Sequence, residues 1–304
     1  MVDKNSLVVH SNVITSAAYR LSVVEARIIL TAISLIPHNE PPSDDKLYWV
    51  TSKALMDLGS NAGSVNKLMN ESAKSIYGRT IRLPTENGYR DFRWVQEIEY
   101  DNKNGRVGLR FSTPMLPYLY ELKNSFTKYN LIAIKDLKSE YAIRIYAMCC
   151  QFAGTGWRSM SIQELREALV LTDKYKSINL FAKRVLDVAV NQINASEYAN
   201  LQVQYSLIKT GRTYTGVRFT FKTKSANERG VITLTVKQAY YFAFKLRNDE
   251  KIWMRFYAVA RNRGLNLLGA SEEEVFERTA EWLTNADNVA MSLEFLVEAG
   301  FKMP

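Results

Sequence analysis

The sequence has few residues of the kinds that carry metal or redox chemistry. Among its 304 residues there are only two histidines and two cysteines. His10 and His38 stand 28 residues apart with no third histidine, which argues against a metal-assisted DNA nickase and a histidine-dependent tyrosine recombinase. Cys149 and Cys150 are neighbours in a predicted helix, so their side chains point in different directions, and we expect two buried free thiols.

Signatures of nucleotide hydrolysis and of membrane insertion are also missing. No Gly-Lys pair occurs, so the chain has no phosphate-binding P-loop. No apolar run approaches the ~18 residues that cross a bilayer, and residues 1–12 lack the apolar core of a signal peptide. We therefore expect a non-enzymatic cytoplasmic protein with no cofactor, no metal ion and no membrane partner.

Basic charge is present in excess, and it is unevenly distributed. The net charge is +9. Residues 1–125 carry 15 basic and 13 acidic side chains, residues 126–225 carry 15 and 7, and residues 226–304 carry 10 and 11. The middle third alone is therefore +8, which favours a polyanionic partner for that part of the chain.

The stretch 173–194 within this basic third has the spacing of one amphipathic helix. Its apolar residues recur at steps of three and four and predict one buried face: Ile178, Phe181, Val185, Val188, Ala189 and Ile193. The opposite face would carry Lys176, Asn179, Lys183, Arg184, Asp187 and Asn191. Cations and amides suit phosphate oxygens and base edges, so we interpret this as a DNA-recognition helix. A solvated surface helix is the simpler alternative.

Two parts of the chain repeat one order of predicted elements. The first part contains a helix from a Ser22–Glu25 capping box to about residue 36, a strand at 47–50, a helix from Thr51 to Gly59, a helix at 64–77, and strands at 92–100 and 106–111. The second contains a helix from Ser139, a strand at 158–160, a helix from a Ser161–Glu164 capping box to about residue 170, the 173–194 helix, and strands at 201–209 and 214–221.

This order predicts an α+β fold of two tandem winged-helix domains, each a helix-turn-helix followed by a β-hairpin wing, with a small helical C-terminal extension. The expected boundaries are 7–123 for the first domain, 124–138 for a connector, 139–225 for the second domain and 226–304 for the extension. The predicted helix at 64–77 would turn Val65, Leu68, Met69, Ser72 and Ile76 inward. Residues 236–263, 272–290 and 291–301 are predicted to be helical. The stretches YYFAFKLR and IWMRFYAVARNR place aromatic residues beside arginines, which could contact nucleic acid. The interpretation we favour is a packed helix with a charged outer face.

Several motifs in this order resemble the iteron-binding plasmid replication initiators. They are 13–22 (VITSAAYRLS), 126–131 (FTKYNL), 137–146 (LKSEYAIRIY), 161–165 (SIQEL) and 181–194 (FAKRVLDVAVNQIN). The resemblance covers residues 7–224 and leaves the extension without a role. It implies two winged-helix domains that bind one origin repeat, with Lys183 and Arg184 at the basic pair of the second recognition helix.

The resemblance also implies a set of partners. They are double-stranded DNA, as direct repeats of the origin and as an inverted-repeat operator, host replication proteins such as the replicative helicase, and a second copy of the chain in a homodimer that exchanges with the monomer. The residues expected to contact DNA are Lys67, Lys74, Arg79, Arg82, Lys174, Lys176, Asn179, Lys183, Arg184, Asn191, Lys209, Arg212 and Arg218. We expect wing cations, including Arg90, Arg93 and Arg106, to contact phosphates without reading sequence.

Two further hypotheses explain the same residues. One is a transcriptional repressor with this DNA-binding core and no initiator role, and the other is a DNA-nicking replication enzyme. For the dimer, the first hairpin offers an apolar set that could cover its own core and part of a partner: Trp94, Val95, Ile98, Tyr100, Val107 and Leu109. The alternative is that all of these face inward and the protein is a monomer. Release of a dimer would require rotation about the connector, where we expect few packed residues.

Overall fold

The computed structural model describes residues 6–37, 42–120, 125–224 and 234–301. Its contacts divide the chain into two compact units, Met1–Thr223 and Lys224–Pro304. Each has its own hydrophobic core. Within the described ranges no helix has the length and apolar character needed to cross a membrane. His38 lies outside the described residues.

The first half of the larger unit contains a helix-turn-helix with a wing. Its helices are α1 (Asn12–Ser16), α2 (Val23–Ser34), α3 (Ser52–Asp57) and α4 (Val65–Ile76). Its strands are β1 (Leu7–Ser11), β2 (Tyr48–Thr51), β3 (Thr80–Thr85), β4 (Gly88–Arg93), β5 (Val95–Asp101) and β6 (Arg106–Phe111), followed by a 3-10 helix at Thr113–Tyr118. The Ser22–Glu25 capping box and the Thr51 cap are both confirmed, and the sheet order is β2-β6-β5.

The second half repeats that topology. After β7 (Phe126–Asn130) and a 3-10 helix (Leu131–Ile134) come α5 (Glu140–Cys150), β8 (Trp157–Ser161), α6 (Ile162–Ala168), α7 (Ile178–Phe181), a π-helical turn (Ala182–Leu186), α8 (Asp187–Ala195), β9 (Leu201–Thr210) and β10 (Thr213–Thr223). The sheet order β8-β10-β9 matches β2-β6-β5 position for position. The Ser161–Glu164 capping box is confirmed, and so is the prediction of two winged helices.

An additional hairpin was not predicted. Strands β3 and β4 pair in antiparallel register from Thr80↔Arg93 to Thr85↔Gly88, and the chain bends at Trp94 before β5 begins. The predicted strand at 92–100 is therefore two strands in two sheets. At this bend Trp94 is buried against Tyr19, with 4.9 Å between the ring centroids.

The connector between the two winged helices is packed, which corrects the expectation of a loosely packed segment. In its described part, β7 pairs with β1, from Leu7↔Asn130 to Ser11↔Phe126. Leu131, Ala133, Ile134 and Leu137 are buried in the common core. Rotation about this segment would expose those side chains and break the β1–β7 ladder, so the structure resists it.

Buried arginines brace the same region. The Arg144 guanidinium donates to the carbonyl of Ala17 at 2.7 Å and lies 3.6 Å from the Tyr19 ring centroid. Arg27 donates to the carbonyl of Lys135 at 2.9 Å. Each arginine ties a backbone carbonyl of one segment to a helix of another, so the two winged helices form one body with a continuous core.

The apolar residues of the first wing mostly face inward. Trp94, Val95, Val107 and Leu109 are buried, Ile98 is partly buried, and Tyr100 is 42% exposed. The expectation that this set covers part of a partner is wrong for its four buried members. Strand β5 is still an outer strand of its three-stranded sheet.

The smaller unit is helical, in agreement with the predicted helices. It contains α9 (Val236–Asn248), α10 (Glu250–Arg261), α11 (Glu272–Trp282), α12 (Ala286–Met291) and α13 (Leu293–Glu298). The predicted helix at 236–263 is divided at Asp249, whose side chain caps α10 by accepting from the backbone N–H groups of Lys251 and Ile252.

Candidate nucleic-acid interface

The predicted recognition helix is present, but it begins later than the sequence predicts. It runs from Ile178 to Ala195 as α7, the π turn and α8, while residues 173–177 form part of a turn. Its buried side carries Phe181, Val185, Leu186, Ala189, Val190 and Ile193. Ile178 and Val188, which the spacing placed on that side, are only partly buried. The π turn contains both Lys183 and Arg184, and such turns often occur at functional sites.

The outward side of this helix carries the residues predicted for it, with one exception. Lys176, Asn179, Lys183, Arg184 and Asn191 are all exposed. In the described part of the chain, none of these five side chains has a hydrogen-bond or ion-pair partner. They are therefore available to phosphate oxygens and base edges. Lys174, at the turn before the helix, is exposed as well.

The exception is Asp187, which holds the helix to its wing. Its carboxylate accepts a hydrogen bond from the Tyr205 hydroxyl at 2.6 Å. Partial burial together with this bond to Asp187 raises the pKa of Tyr205 to about 12. Further along the helix, Asn194 exchanges two hydrogen bonds with the backbone of Val203, at 2.7 and 2.8 Å. The helix and strand β9 are thus fixed to each other at two levels.

The turn that precedes the helix is organised by Arg166, a residue that the sequence did not single out. From α6 its guanidinium donates to the carbonyls of Lys174 at 2.8 Å and Tyr175 at 2.6 Å. It also lies 4.4 Å from the Phe181 ring centroid. Partial burial lowers the pKa of Arg166 from its ordinary value. The turn includes Tyr175 at a φ of 52°. Residues other than glycine rarely adopt this backbone conformation, so the hydrogen bonds from Arg166 help to hold it.

The wing of the second winged helix carries exposed cations beside aromatic rings. Lys209 lies with its Nζ 4.6 Å from the Tyr214 ring centroid. Arg212 is exposed at the hairpin turn, beside Gly211 at a φ of 61°. Arg218 lies 4.6 Å above the Trp157 ring and donates to the Ser159 hydroxyl at 3.0 Å. Lys209 and Arg212 are therefore the wing cations nearest the hairpin tip.

The corresponding helix of the first winged helix, α4, has a weaker basic face. Lys67 and Lys74 are exposed, but the Lys67 ammonium lies 4.0 Å from the Glu71 carboxylate. Its buried residues are Val65, Met69, Ala73 and Ile76. Leu68, which the spacing placed inside, is 37% exposed, so that part of the prediction is wrong.

Two arginines predicted to contact DNA have carboxylate partners within the fold. Arg79 makes a bidentate pair with Glu25, with an Nη2 to Oε1 distance of 2.9 Å, and the Glu25 side chain is only 2% exposed. Arg82, on the unpredicted β3–β4 hairpin, pairs with Asp91 at 2.8 Å and lies 3.8 Å from the Tyr89 ring. Both guanidiniums are engaged within the fold.

The arginines named for the first wing differ among themselves. Arg106 pairs with Asp101 at 2.8 Å and stacks on Trp49, so it too is engaged within the fold. Arg90 and Arg93 are exposed on β4, outside the β5–β6 wing.

The Arg79–Glu25 pair has an electrostatic signature. Burial alone would raise the pKa of Glu25, but hydrogen bonds from Arg79, Ser75 and the backbone of Ser22 hold it below its ordinary value of 4.5. Because the carboxylate also completes the capping box of α2, the pair joins the start of α2 to the chain that follows α4.

Reactive side chains are few in the described ranges. No group of three or more His, Cys, Asp and Glu residues there could hold a metal ion. His10 is buried, and desolvation lowers its pKa to about 4. Cys149 and Cys150 are free, as predicted, with Cys149 buried and Cys150 partly buried. Burial raises the pKa of the Cys150 thiol to about 12, which makes it a poor nucleophile.

The chain matches known families and proteins over its two winged helices. Residues 7–150 match the family model described as "Initiator Replication protein, WH1", and residues 161–221 match "Initiator Rep protein, WH2". A replication initiation protein of Escherichia coli is 23% identical over 207 residues, which are 65% of this chain and 64% of that relative. The chain thus spans slightly less than two thirds of that relative's length.

Two further matches are longer. The PI protein of Escherichia coli is 23% identical over 255 residues, 72% of this chain and 84% of that relative. A crystal structure of the Pi initiator protein in complex with iteron DNA matches with a TM-score of 0.64 and 21% identity, over 74% of this chain and all of that chain. At this identity the likeness establishes a shared fold.

Proposed function

The chain belongs to the initiator replication protein family, and from this premise we propose that it is a plasmid replication initiator that binds directly repeated origin sequences, or iterons, as a monomer. The Pi initiator protein, whose fold it shares, is bound to iteron DNA in its crystal structure. In our proposal the two winged helices of one chain contact one repeat together, since they share a continuous core.

The observation that carries this proposal is the outward face of the helix from Ile178 to Ala195. It presents Asn179, Lys183, Arg184 and Asn191 without protein partners among the described residues, on a helix fixed to its wing by Asp187 and Asn194. A rigid helix with cations and amides suits the major groove, where arginine reads guanine and asparagine reads adenine. We assign main recognition to this helix.

The remaining cations have supporting roles in this proposal. Lys174 and Lys176 lie where the helix starts, and a helix N-terminus favours phosphate. The wing cations Lys209, Arg212 and Arg218 contact the phosphate backbone of the DNA. Lys67 and Lys74 contact it from α4. Arg79 and Arg82 stabilise the first winged helix through Glu25 and Asp91, and the proposal gives them no contact with DNA.

We further propose that a homodimer represses the initiator's own promoter at an inverted repeat, whose twofold symmetry matches that of a dimer. The support is the outer edge of β5, with Tyr100 42% exposed on it, because unpaired strand edges can pair across a twofold axis. Since the connector is packed, conversion to the monomer would rearrange a buried segment.

We propose that the protein works without catalysis, in the cytoplasm, by recruiting host replication proteins such as the replicative helicase. A nicking enzyme is the competing class, and incubation with supercoiled plasmid and a divalent metal separates the two. Relaxed circular product would contradict our proposal.

Footprinting over the DNA that flanks the gene tests the proposal as a whole. We expect protection of a tandem series of direct repeats, with one chain per repeat by sedimentation. Removing the gene from its replicon should then abolish copying unless the protein is supplied in trans. Protection of a single inverted repeat, with normal copying after removal, would instead identify a plain repressor.

A further inference from the structure

The outward face of α9, in the helical unit after the second winged helix, carries aromatic rings and cations without any acidic residue. The buried side of α9 consists of Ala239, Phe242, Ala243 and Leu246. On the opposite side Tyr241 is 53% exposed and Phe244 is 57% exposed. Lys237 and Lys245 are exposed beside them. Residues 236–248 contain three cations and no Asp or Glu.

The two rings are placed as neighbours. Residues three apart on a helix have Cβ atoms about 5–6 Å from each other, so Tyr241 and Phe244 share one exposed surface on the outward side of α9. The Lys245 ammonium lies 5.7 Å from the Tyr241 ring centroid, which puts a cation at the edge of that surface. The core of the unit is built from other aromatic residues, such as Phe242, Phe256 and Phe295, so the exposed rings are not needed to fill it.

The side chains on the outward face of α9 indicate which class of partner can bind there. Cations without acids call for a polyanion, and exposed rings call for flat apolar partners. A DNA duplex offers phosphates but hides its base faces in the stack. A lipid surface needs a wide apolar face for insertion, whereas the exposed rings of α9 are interspersed with cations: Tyr240, Tyr241 and Phe244 lie among Lys237, Lys245 and Arg247. Single-stranded nucleic acid offers phosphates and unstacked bases together.

We propose that the outward face of α9 binds single-stranded DNA, with bases stacked on Tyr241 and Phe244 and phosphates beside Lys237 and Lys245. The family matches end at residue 221, so this surface lies outside the winged helices. It is independent of the proposed reading of repeats, because a chain that bound no iteron could still bind a single strand here.

The test measures binding of the full chain to a fluorescent oligothymidylate by anisotropy. Tyr241→Ala with Phe244→Ala should lower the affinity roughly thirtyfold or more, since each of the two stacked bases contributes on the order of 1–3 kcal/mol and 1.4 kcal/mol is a factor of ten. The matched control is Met254→Ala with Leu268→Ala, which removes apolar side chains of the same unit that are 65% and 83% exposed. That control should bind the oligonucleotide as wild type does.

Two further arms separate stacking from charge. An abasic strand of equal length keeps the phosphates but has no bases, so wild type should bind it as weakly as the ring variant binds oligothymidylate. Lys237→Gln with Lys245→Gln should flatten the slope of log affinity against log salt by about 1.4, at roughly 0.7 for each phosphate contact on a single strand. Circular dichroism must give wild-type helicity for every variant.

Three results would overturn the proposal. One is wild-type affinity of the ring variant for oligothymidylate. Another is an equal loss of affinity for a duplex of the same length, which would mean that the two rings only support the fold and do not stack on bases. The third is a ring variant that no longer attaches to phosphatidylglycerol vesicles but binds the oligonucleotide as wild type does. That result would assign the outward face of α9 to lipid. A failed footprint alongside the expected oligonucleotide results would reject only the proposed iteron function.

Discussion

Replacing Arg166 should loosen the start of the recognition helix and lower specific DNA binding. Its guanidinium makes two short hydrogen bonds, to the carbonyls of Lys174 and Tyr175, and stacks on Phe181. A hydrogen bond to a charged group contributes about 1.5–3 kcal/mol. Because the Arg166 side chain is only partly buried, water can replace part of these hydrogen bonds in the variant. We therefore expect Arg166→Gln to lower the free energy of unfolding by about 2 kcal/mol.

The same substitution should affect DNA binding in a particular way. The turn at 171–176 carries Lys176 and sets where α7 begins, so its disorder should weaken binding to the repeat more than binding to a scrambled duplex. We expect a loss on the order of tenfold in the ratio of the two affinities, because a misplaced base contact costs about 1–3 kcal/mol. Arg166→Lys, which keeps the charge and one donor position, should recover part of that ratio.

The measurements are urea unfolding and fluorescence anisotropy on the two duplexes. Arg255→Gln is the matched control, because it removes one positive charge and an ion pair with Glu298 at 3.0 Å within the other compact unit, the helical extension. If Arg166→Gln lowers stability but leaves the affinity ratio at the wild-type value, Arg166 only stabilises the fold and its positioning role is refuted.

Three other predictions concern protonation and the wing. The pKa of buried His10 is lowered from 6.5 to about 4, so unfolding free energy should fall by about 1 kcal/mol per pH unit as pH drops through that window; His10→Asn should remove this slope in urea titrations, and an unchanged slope would contradict the burial of a neutral imidazole. The lowered pKa of Glu25 stabilises the fold above its ordinary value of 4.5, and this contribution should be lost as pH falls below it; Glu25→Gln should be less stable at pH 7 and less acid-sensitive, whereas Glu71→Gln should change neither. Replacing Lys209 and Arg212 with Gln should flatten the salt dependence of duplex binding by about 0.9 for each phosphate that the wild-type side chains neutralise, and a wild-type slope would return both to ordinary surface charge.

The elements that the sequence predicted well are those specified by neighbours in the chain. The capping boxes of Ser22 with Glu25 and of Ser161 with Glu164 span three residues each, and both are present. The buried and exposed sides of the 178–195 helix also follow from a local period, so the availability of Lys183 could be predicted.

The elements that the sequence did not reveal depend on distant partners. Strand β1 is specified by pairing with β7 more than a hundred residues away. The β3–β4 hairpin contains Pro84 and several charged residues, which weaken a strand signal. Arg79 and Arg82 looked like free cations because Glu25 and Asp91 become their neighbours only on folding. Arg166 was missed for the same reason, since its partners are backbone carbonyls.

The central claim is that the helix from Ile178 to Ala195 reads the repeat, and one comparison tests it most directly. Lys183→Ala with Arg184→Ala is compared with Lys67→Ala with Lys74→Ala, for affinity to the footprinted repeat and to a scrambled duplex at moderate salt. We predict that the first pair lowers the ratio of these affinities about tenfold or more, since a bidentate base contact contributes roughly 1–3 kcal/mol. The second pair should weaken both duplexes alike. An unchanged ratio in the first pair, with the fold intact, would contradict the assignment of recognition to this helix.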